Sequence, residues 1–531
     1  MPVKMDPSFY VQVIVPLKLG WTPCYSSSGA LVRGDFVSVE FSGRTYTAVV
    51  YSLEVPKNVD KKGIKSILRQ RTELPRVSEM ELKLWEFISS YYMCSLGEVF
   101  RAAYSSSRIK SGAAAAARME KMKQRLAVLE VNLGKRHSDK VRLRLEEEAT
   151  KTRKYIEDAS EVFQPPIFAR LNPPKPRLLS REERPGEYRK AIKKSLDEGG
   201  QVLVLAPEIS FCNKLKESLG EDAIIVNSEQ ADGAVQEVCT LLRRGSKALV
   251  IGTRSAIFLP FTKLRTVIID EEQDQCFKQG EPAPRYNARD CAIYLATLFG
   301  AEVILGASLP SLESVQNCIS GKYFCSSLEK AIKPEITAEI IDIRAERKKK
   351  GMCGLFSRKL LDRISHTSGK ICLIRGWERQ EELEEEIRLY LPDREVEVLS
   401  FSQLKRRGCG DASVSAFLQI DVLYDKDDFR ADERALQDLA LLQSICCRDG
   451  GRLIVQTAAA EHFNAAGDYA SLLRERRTFS FPPFSRLVEI RRSGSGDTVS
   501  RHFLKKDSSL TANKAELART LPPGCYADVD P

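Results

Sequence analysis

No stretch of this 531-residue chain runs to about 18 consecutive apolar residues, and no secretory signal peptide opens it. The expectation is a soluble, cytoplasmic protein with no membrane role. Although 14 cysteines are present, none stands in a CxxC pair, and the nearest neighbours are Cys446 and Cys447. That spacing excludes a zinc ribbon and a disulfide framework and leaves reduced, mostly buried thiols, so no zinc is expected. An even spread of charge is also lacking. The net charge is +10, and residues 101–156 alone carry 15 Lys or Arg against 6 Asp or Glu, which leaves the rest near neutral. Positive charge concentrated in this way fits a polyanionic partner, and it equally fits a solvated helix face.

With 43% hydrophobic residues, the length allows three or four domains with proper cores. Residues 9–51 alternate in the β manner through Tyr10–Val15, Phe36–Phe41 and Tyr46–Val50, with turns at Gly34-Asp35 and Ser42-Gly43, so a small sheet or barrel is expected. Residues 78–102 read as helical, capped by Ser78 with Glu81 three residues on. Residues 113–160 read as one or two long charged helices. Leu126, Leu129 and Leu133 make a narrow packing seam there, and Gly134 ends it. Pro165, Pro166, Pro173, Pro174 and Pro176 mark a linker.

Beyond the linker the pattern becomes α/β. Four apolar strands run into polar loops at helix-length spacing: Val202–Glu208, Leu249–Ala256, Val267–Gln273 and Val303–Ser311. Any one of these reads as a plain strand end, but four in register argue for a site beyond the strand ends. At the third, Asp270, Glu271 and Glu272 follow the strand directly. A carboxylate pair in that place holds Mg²⁺ against a phosphate while a further acid orients water. A second α/β unit follows, with strands at Lys370–Ile374, Val414–Asp421 and Leu453–Thr457 and a charged helix at Arg379–Tyr390; Phe481–Ile490 opens another β segment.

Several short motifs recur with these elements: Pro207-Glu208-Ile209, Gly252-Thr253-Arg254-Ser255-Ala256, Asp270-Glu271-Glu272, Arg285-Tyr286-Asn287-Ala288-Arg289-Asp290 and Pro310-Ser311. Tyr91–Val99, Asp428–Arg434 and Phe481–Leu487 accompany them. Together they resemble the PriA (primosomal protein N′) family of replication-restart DNA helicases. The resemblance implies an N-terminal β-rich DNA-binding domain (1–105), a basic helical segment (106–165), a first RecA-like lobe (166–330), a reduced second lobe (331–460) and a shortened C-terminal domain (461–531). It further implies DNA contacts from Arg254, Phe277, Lys278, Arg285, Tyr286 and Arg289, in which cations alternate with stacking aromatics.

The departures bear on activity. The family's glycine-rich loop ends in Gly-Lys-Thr, whereas this chain has Ser180-Arg181-Glu182-Glu183-Arg184-Pro185-Gly186-Glu187-Tyr188. One glycine remains, three carboxylates face the triphosphate, and Pro185 removes an amide donor. The family's motif-two histidine is Gln273, and its finger arginines fall on Cys447 and Gly450, with Arg448 as a shifted remnant. Pro23-Cys24-Tyr25 stands where an acid of the family helps to bind a DNA 3′ end. The expectation is a replication-restart protein that binds forked or single-stranded DNA, with other primosome proteins as further partners and ATPase activity lost. Asp270, Glu271 and Glu272 are then vestigial metal and water positions, no nucleotide site is intact, and no cofactor is required beyond residual ATP and Mg²⁺ binding. The alternatives are a working 3′-to-5′ helicase and a non-catalytic scaffold or decaying paralogue.

Overall fold

Alternating apolar residues build the first sheet. Val11 and Val13 of β1 (Phe9–Ile14), Val37 and Val39 of β3 (Phe36–Phe41), and Ala48 and Val50 of β4 (Arg44–Ser52) share one buried cluster. β2 (Cys24–Ser27) and β5 (Arg69–Gln70) complete the antiparallel order β2-β1-β4-β3-β5. Both are too short to show a period in the sequence. The computed structural model describes residues 9–54, 56, 63–135, 138–160, 173–181, 183–220, 222–329, 337–423, 428–447, 450–464 and 469–531. Pro165 and Pro166 of the expected linker, Glu182 and Arg448 lie outside the described residues.

The single helix expected over 78–102 is two. α1 (Glu79–Tyr91) and α2 (Leu96–Ala103) each begin with a capping box, Ser78 with Glu81 and Ser95 with Glu98. Met93 takes a φ of +53° between them. A second start signal inside a periodic run therefore breaks it. α3 (Ser106–Leu133) and α4 (Asp139–Ser160) then form a helical hairpin, with Gly134 as the C-cap of α3. Leu129, Ala149 and Thr152 are buried in its seam, and Arg125–Glu148 and Arg153–Glu130 ion pairs staple its sides.

Seven parallel strands make the central sheet, in the order β12-β6-β11-β10-β7-β9-β8. They are β6 (Arg177–Leu179), β7 (Gln201–Leu205), β8 (Ile224–Val226), β9 (Ala248–Gly252), β10 (Leu264–Ile269), β11 (Glu302–Gly306) and β12 (Phe324–Cys325). Helices α5 (Arg184–Asp197), α6 (Ile209–Leu219), α7 (Asp232–Arg243), α8 (Ala288–Phe299) and α9 (Leu312–Ile319) cover it. Every residue of β7 and β9 is buried, as a parallel sheet covered on both faces requires.

The second lobe is a five-stranded parallel sheet, β13 (Glu339–Asp342), β16 (Ile371–Arg375), β17 (Val396–Ser400), β18 (Val414–Phe417) and β19 (Arg452–Thr457), in the order β13-β19-β18-β16-β17. A small hairpin, β14 (Met352–Cys353) with β15 (Phe356–Ser357), flanks it. The tail adds an antiparallel sheet of β20 (Ser485–Arg492), β21 (Thr498–Lys505) and β22 (Cys525–Val529). The chain is thus α/β, with an antiparallel N-terminal sheet. Among the described residues no helix is long and apolar enough to cross a membrane.

The units are fused. Trp85, Tyr92 and Phe100 of the first share one core with Leu203, Val267 and Phe277 of the central sheet, and Phe87 stacks on Tyr294 with ring centres 4.0 Å apart. Glu433, in the second lobe's helix Ala431–Cys446, accepts from Leu312 N at 2.9 Å and from Arg476 Nη2 at 3.1 Å, joining α9 to the tail. Gly97 is where α2 meets the first sheet: a Cβ there would lie 2.0 Å from Leu17 O and 2.3 Å from Val15 O. Backbone atoms cannot yield as side chains do, so Gly97→Ala should lower stability by about 1–3 kcal/mol, read as a shift in the denaturant midpoint. Gly29→Ser makes a control for lost glycine, because nothing lies within 4 Å of a Cβ there and its backbone is not in the left-handed region.

Candidate nucleotide site and nucleic-acid interface

The C-terminal ends of β6, β10 and β11 lie side by side at the centre of the sheet, where ligands of open α/β sheets bind. Asp270 and Glu271 follow β10 directly and are buried at 8% and 4% exposure. α5 starts at Arg184, with Pro185 in its first turn, where a proline's missing N–H costs nothing. That start sends the Arg184 guanidinium across the strand ends. Its Nη1 donates to Asp270 Oδ1 at 3.0 Å and to Glu271 Oε1 at 2.7 Å. One helical turn on, the Tyr188 hydroxyl donates to Asp270 Oδ1 at 2.9 Å. Burial opposes the charge on Arg184, but Glu271 and Asp270 outweigh it and hold its pKa above the usual value.

Glu271 is saturated with donors. Besides Arg184 it accepts from Ser308 N (2.9 Å), Ser308 Oγ (2.8 Å) and Gln273 Nε2 (2.8 Å). Its φ of +50° is a left-handed conformation that a non-glycine residue holds only when its surroundings fix it. Burial raises the pKa of its carboxyl, but Arg184 and these donors bring the net shift below normal. For Asp270, burial and the adjacent Glu271 outweigh Arg184 and push the carboxyl up. Glu272 points elsewhere: Ser311 N and Oγ donate to it at 2.7 and 3.0 Å, and Arg289 Nη1 at 2.9 Å. It anchors the start of α9.

The loop between β6 and α5 supplies its own anion. Glu183 Oε2 accepts from Ser180 N at 3.0 Å and Ser180 Oγ at 2.9 Å, while Ser326 Oγ donates to its other oxygen at 2.6 Å. The Ser326 bond, more than any other contact, holds this carboxyl below its normal pKa despite some burial. Space is closed as well, since a Cβ on Gly306 would lie 1.8 Å from the Tyr188 hydroxyl. The residues present do not fit Mg²⁺ with a triphosphate. The two carboxylates are neutralised by an arginine and a loop amide is taken by a glutamate.

The residues expected to touch DNA are mostly turned inward. Phe277 has no exposed surface, and Tyr286 is 4% exposed with its ring edge-on to Phe258. Base stacking by these two is corrected by that placement: they belong to the core shared with the N-terminal unit. Lys278 Nζ donates to Val529 O at 2.6 Å and Arg285 O at 2.9 Å, tying the loop to β22. Arg285 lies over the Tyr526 ring at 3.4 Å and pairs with Glu281. Arg289 is committed to Glu272, Asp290 and Ser311. The cations the sequence offered to phosphate are thus pinned by the tail and by α9, neither of which the sequence places beside them.

Of the six, Lys278 and Arg289 line a cavity of about 700 Å³ from within the pairs just described, and Arg254 lines a smaller open cleft of about 390 Å³. The Arg254 Nη1 donates to Cys276 O at 2.8 Å. Pro207, Glu208, Ile209, Ser210 and Thr253 form the first-lobe wall, and Ser402 and Arg406 of the second lobe face them. The N-cap Glu208 makes no side-chain cap bond to α6, and Ser210 Oγ has no hydrogen-bond partner among the described residues. Lys405 bridges the lobes beside the cleft, donating to Glu208 Oε1 at 2.6 Å and Asp274 Oδ2 at 3.3 Å. Two arginines, a hydroxyl and an uncapped helix start gather donors in this cleft, beside the Glu208 carboxylate that Lys405 holds. In the N-terminal sheet, Cys24 pairs with Gln12, and burial pushes its thiol up, so it presents no acid.

A family model described as a 3′ DNA-binding domain, the PriA 3′BD, matches residues 12–105. Replication restart protein PriA of Chlamydia pneumoniae is 35% identical over 184 residues, 34% of this chain and 25% of that protein. PriA of Rickettsia conorii is 29% identical over 345 residues, 62% of this chain and 47% of its own length. The chain is related to PriA. The matches span about half or less of the PriA relatives' length. Among solved structures, RecG bound to a three-way DNA junction gives a TM-score of 0.33 at 12% identity, covering 76% of this chain and 51% of that one. Mycobacterium smegmatis helicase Lhr bound to ssDNA and AMP-PNP gives 0.31 at 12% identity, covering 55% and 45%.

Sequence reasoning missed Arg184, Tyr188, Glu183 and Arg406. Part of the signal was available for the first: a cation opens the helix that follows β6, although the acids it meets lie 86 and 87 residues further along the chain. Arg184→Ala should leave those acids unneutralised and destabilise the fold by about 3–5 kcal/mol in urea unfolding. Adding Asp270→Asn and Glu271→Gln to it should recover a large part of that loss. A catalytic rather than structural arginine would leave the unfolding midpoint of the single variant nearly unchanged.

Proposed function

We propose that the chain binds DNA as a PriA-like replication-restart protein and does so without turning over ATP. The observation that carries this reading is the pair Glu183 and Arg184. A glutamate occupies the loop amide that a phosphate needs, and an arginine occupies the carboxylates that a metal needs. Oriented amides, a lysine and finger arginines share the charge of a phosphoryl-transfer transition state, one finger contributing roughly 10³-fold or more. Here the finger positions are Cys447 and Gly450. No step through ATP or Mg²⁺ is derived, and neither a nucleotide nor zinc belongs to the proposed protein.

The DNA half rests on the matched 3′ DNA-binding domain and on the cleft of Arg254, Arg406 and Ser210. Contacts to the phosphate backbone there need no base reading, which suits forked and single-stranded substrates. Contacts with further primosome proteins belong to the same proposal and are carried by the family alone.

Two measurements on the full chain test it. ATP hydrolysis with and without forked DNA should stay at the level of buffer, and labelled ATP should not bind at micromolar concentrations. A DNA-stimulated rate abolished by Asp270→Asn would overturn the ATP half. In fluorescence anisotropy, Arg254→Gln with Arg406→Gln should weaken forked DNA by about 10-fold or more and lower the log–log salt slope by about 1.4–1.8, at 0.7–0.9 per phosphate contact. Absence of DNA binding below about 10 μM at low salt would leave the scaffold as the reading.

A further inference from the structure

Helix α3 begins at Ser106, directly after the residues matched as a 3′ DNA-binding domain, and α4 returns beside it. Its 28 residues make an arm roughly 40 Å long at 1.5 Å per residue. The arm has two unlike faces. Lys110, Arg118 and Lys121 recur on one stripe of α3, and Lys140, Arg144 and Lys151 recur on one stripe of α4. At 3.6 residues per turn, each stripe lies about a quarter to a third of a turn from its own seam of Leu126, Leu129 and Leu133 or Leu145, Ala149 and Thr152. The offset has the same sense along both sequences, and the helices run in opposite directions, so the two stripes open on the same side.

All six cations are exposed, and among the described residues none makes an ion pair. The basic side also carries Glu147 and an Arg125–Glu148 pair, but its cations outnumber its acids. The opposite side is compensated: Arg142 pairs with Glu146 at 3.2 Å and Arg153 with Glu130 at 2.7 Å. The turn that rests on the first lobe also faces away from the stripes. Ile109 packs against the shared core, and a Cβ on Gly112 would meet Leu74 Cδ2 of the N-terminal unit at 3.3 Å and Gln236 Oε1 of the first lobe's α7 at 3.8 Å. The lobe therefore does not cover the basic side.

We propose that this basic face of the α3–α4 arm docks on the phosphate backbone of duplex DNA, a site apart from the interlobe cleft. The inference rests on the DNA-binding reading above. Its length matches about one duplex turn of roughly 34–36 Å, and two rows of cations some 8–10 Å apart meet a repeating polyanion without reading sequence. The arm's continuity with the 3′ DNA-binding domain selects the duplex beside a bound 3′ end as the occupant.

The test uses the full chain and a labelled 30-base-pair duplex across a salt series. The triple variant Arg118→Gln, Lys121→Gln and Arg144→Gln is compared with Lys123→Gln, Arg142→Gln and Arg153→Gln, which removes the same charge from the other side. The first should weaken binding by about 10-fold or more and lower the salt slope by up to about 2.7, at 0.9 per contact. The second should stay within about 2-fold of the parent with its slope intact. Equal losses, or no loss in either, overturn the face-specific site. If the parent binds no DNA, the reading beneath it fails instead. Loss of binding to phosphatidylserine vesicles by the first triple, with duplex binding unchanged, overturns the proposal in favour of a lipid surface.

Discussion

The centre of the sheet depends on one charge being in one place. Asp270 and Glu271 are adjacent, buried and of like sign, an arrangement that water cannot relieve. Arg184 reaches both, and Tyr188 and Ser308 take the remaining lone pairs. That pairing fixes where α5 begins and closes the space over Gly306. It also lets Glu271 hold its left-handed backbone. A buried pair of this kind is weak evidence of net stability, because desolvation consumes most of the attraction. What it does supply is a single arrangement of three strand ends, with the position elsewhere given to a bound ligand held by the chain's own side chains.

The same substitution of internal contacts for external ones recurs between the units. Lys278, Arg285 and Arg289 have the chemistry of phosphate ligands, yet β22, Tyr526 and Glu272 hold them. Glu313 sits among Arg430, Arg289 and Arg476. Burial raises its pKa, but the three guanidiniums bring its carboxyl down to about 2. Lys405 and Glu433 cross from the second lobe to the first. Separating the two lobes would break several of these pairs at once. The cleft at Arg254 and Arg406 stays open beside these interlobe contacts.

The sequence by itself determined the strands and their chemistry. Buried parallel strands need continuous apolar runs, so Val202–Leu205, Leu249–Ile251, Val267–Ile269 and Val303–Leu305 were legible, as was the seam of Leu126, Leu129 and Leu133 in the arm. The absence of Gly-Lys-Thr before Val202 was legible too, because that run has a local signature. The break at Met93 was missed because its start signal, Ser95 with Glu98, lies inside an unbroken apolar period. Strands as short as β2 and β5 carry no period at all.

Only the tertiary structure decided which polar residues face water. Phe277, Tyr286, Lys278 and Arg289 look in sequence like a nucleic-acid loop, and their burial is imposed by elements up to some 250 positions away, such as Val529 at 2.6 Å from Lys278. Arg184 reads as one charge in a damaged loop until β6, β10 and β11 are set side by side and aim it at Asp270 and Glu271. The identity of a charged residue is local information. Its partner is set by which strand ends and helix starts converge, and in this chain those lie 86 and 87 residues apart in sequence.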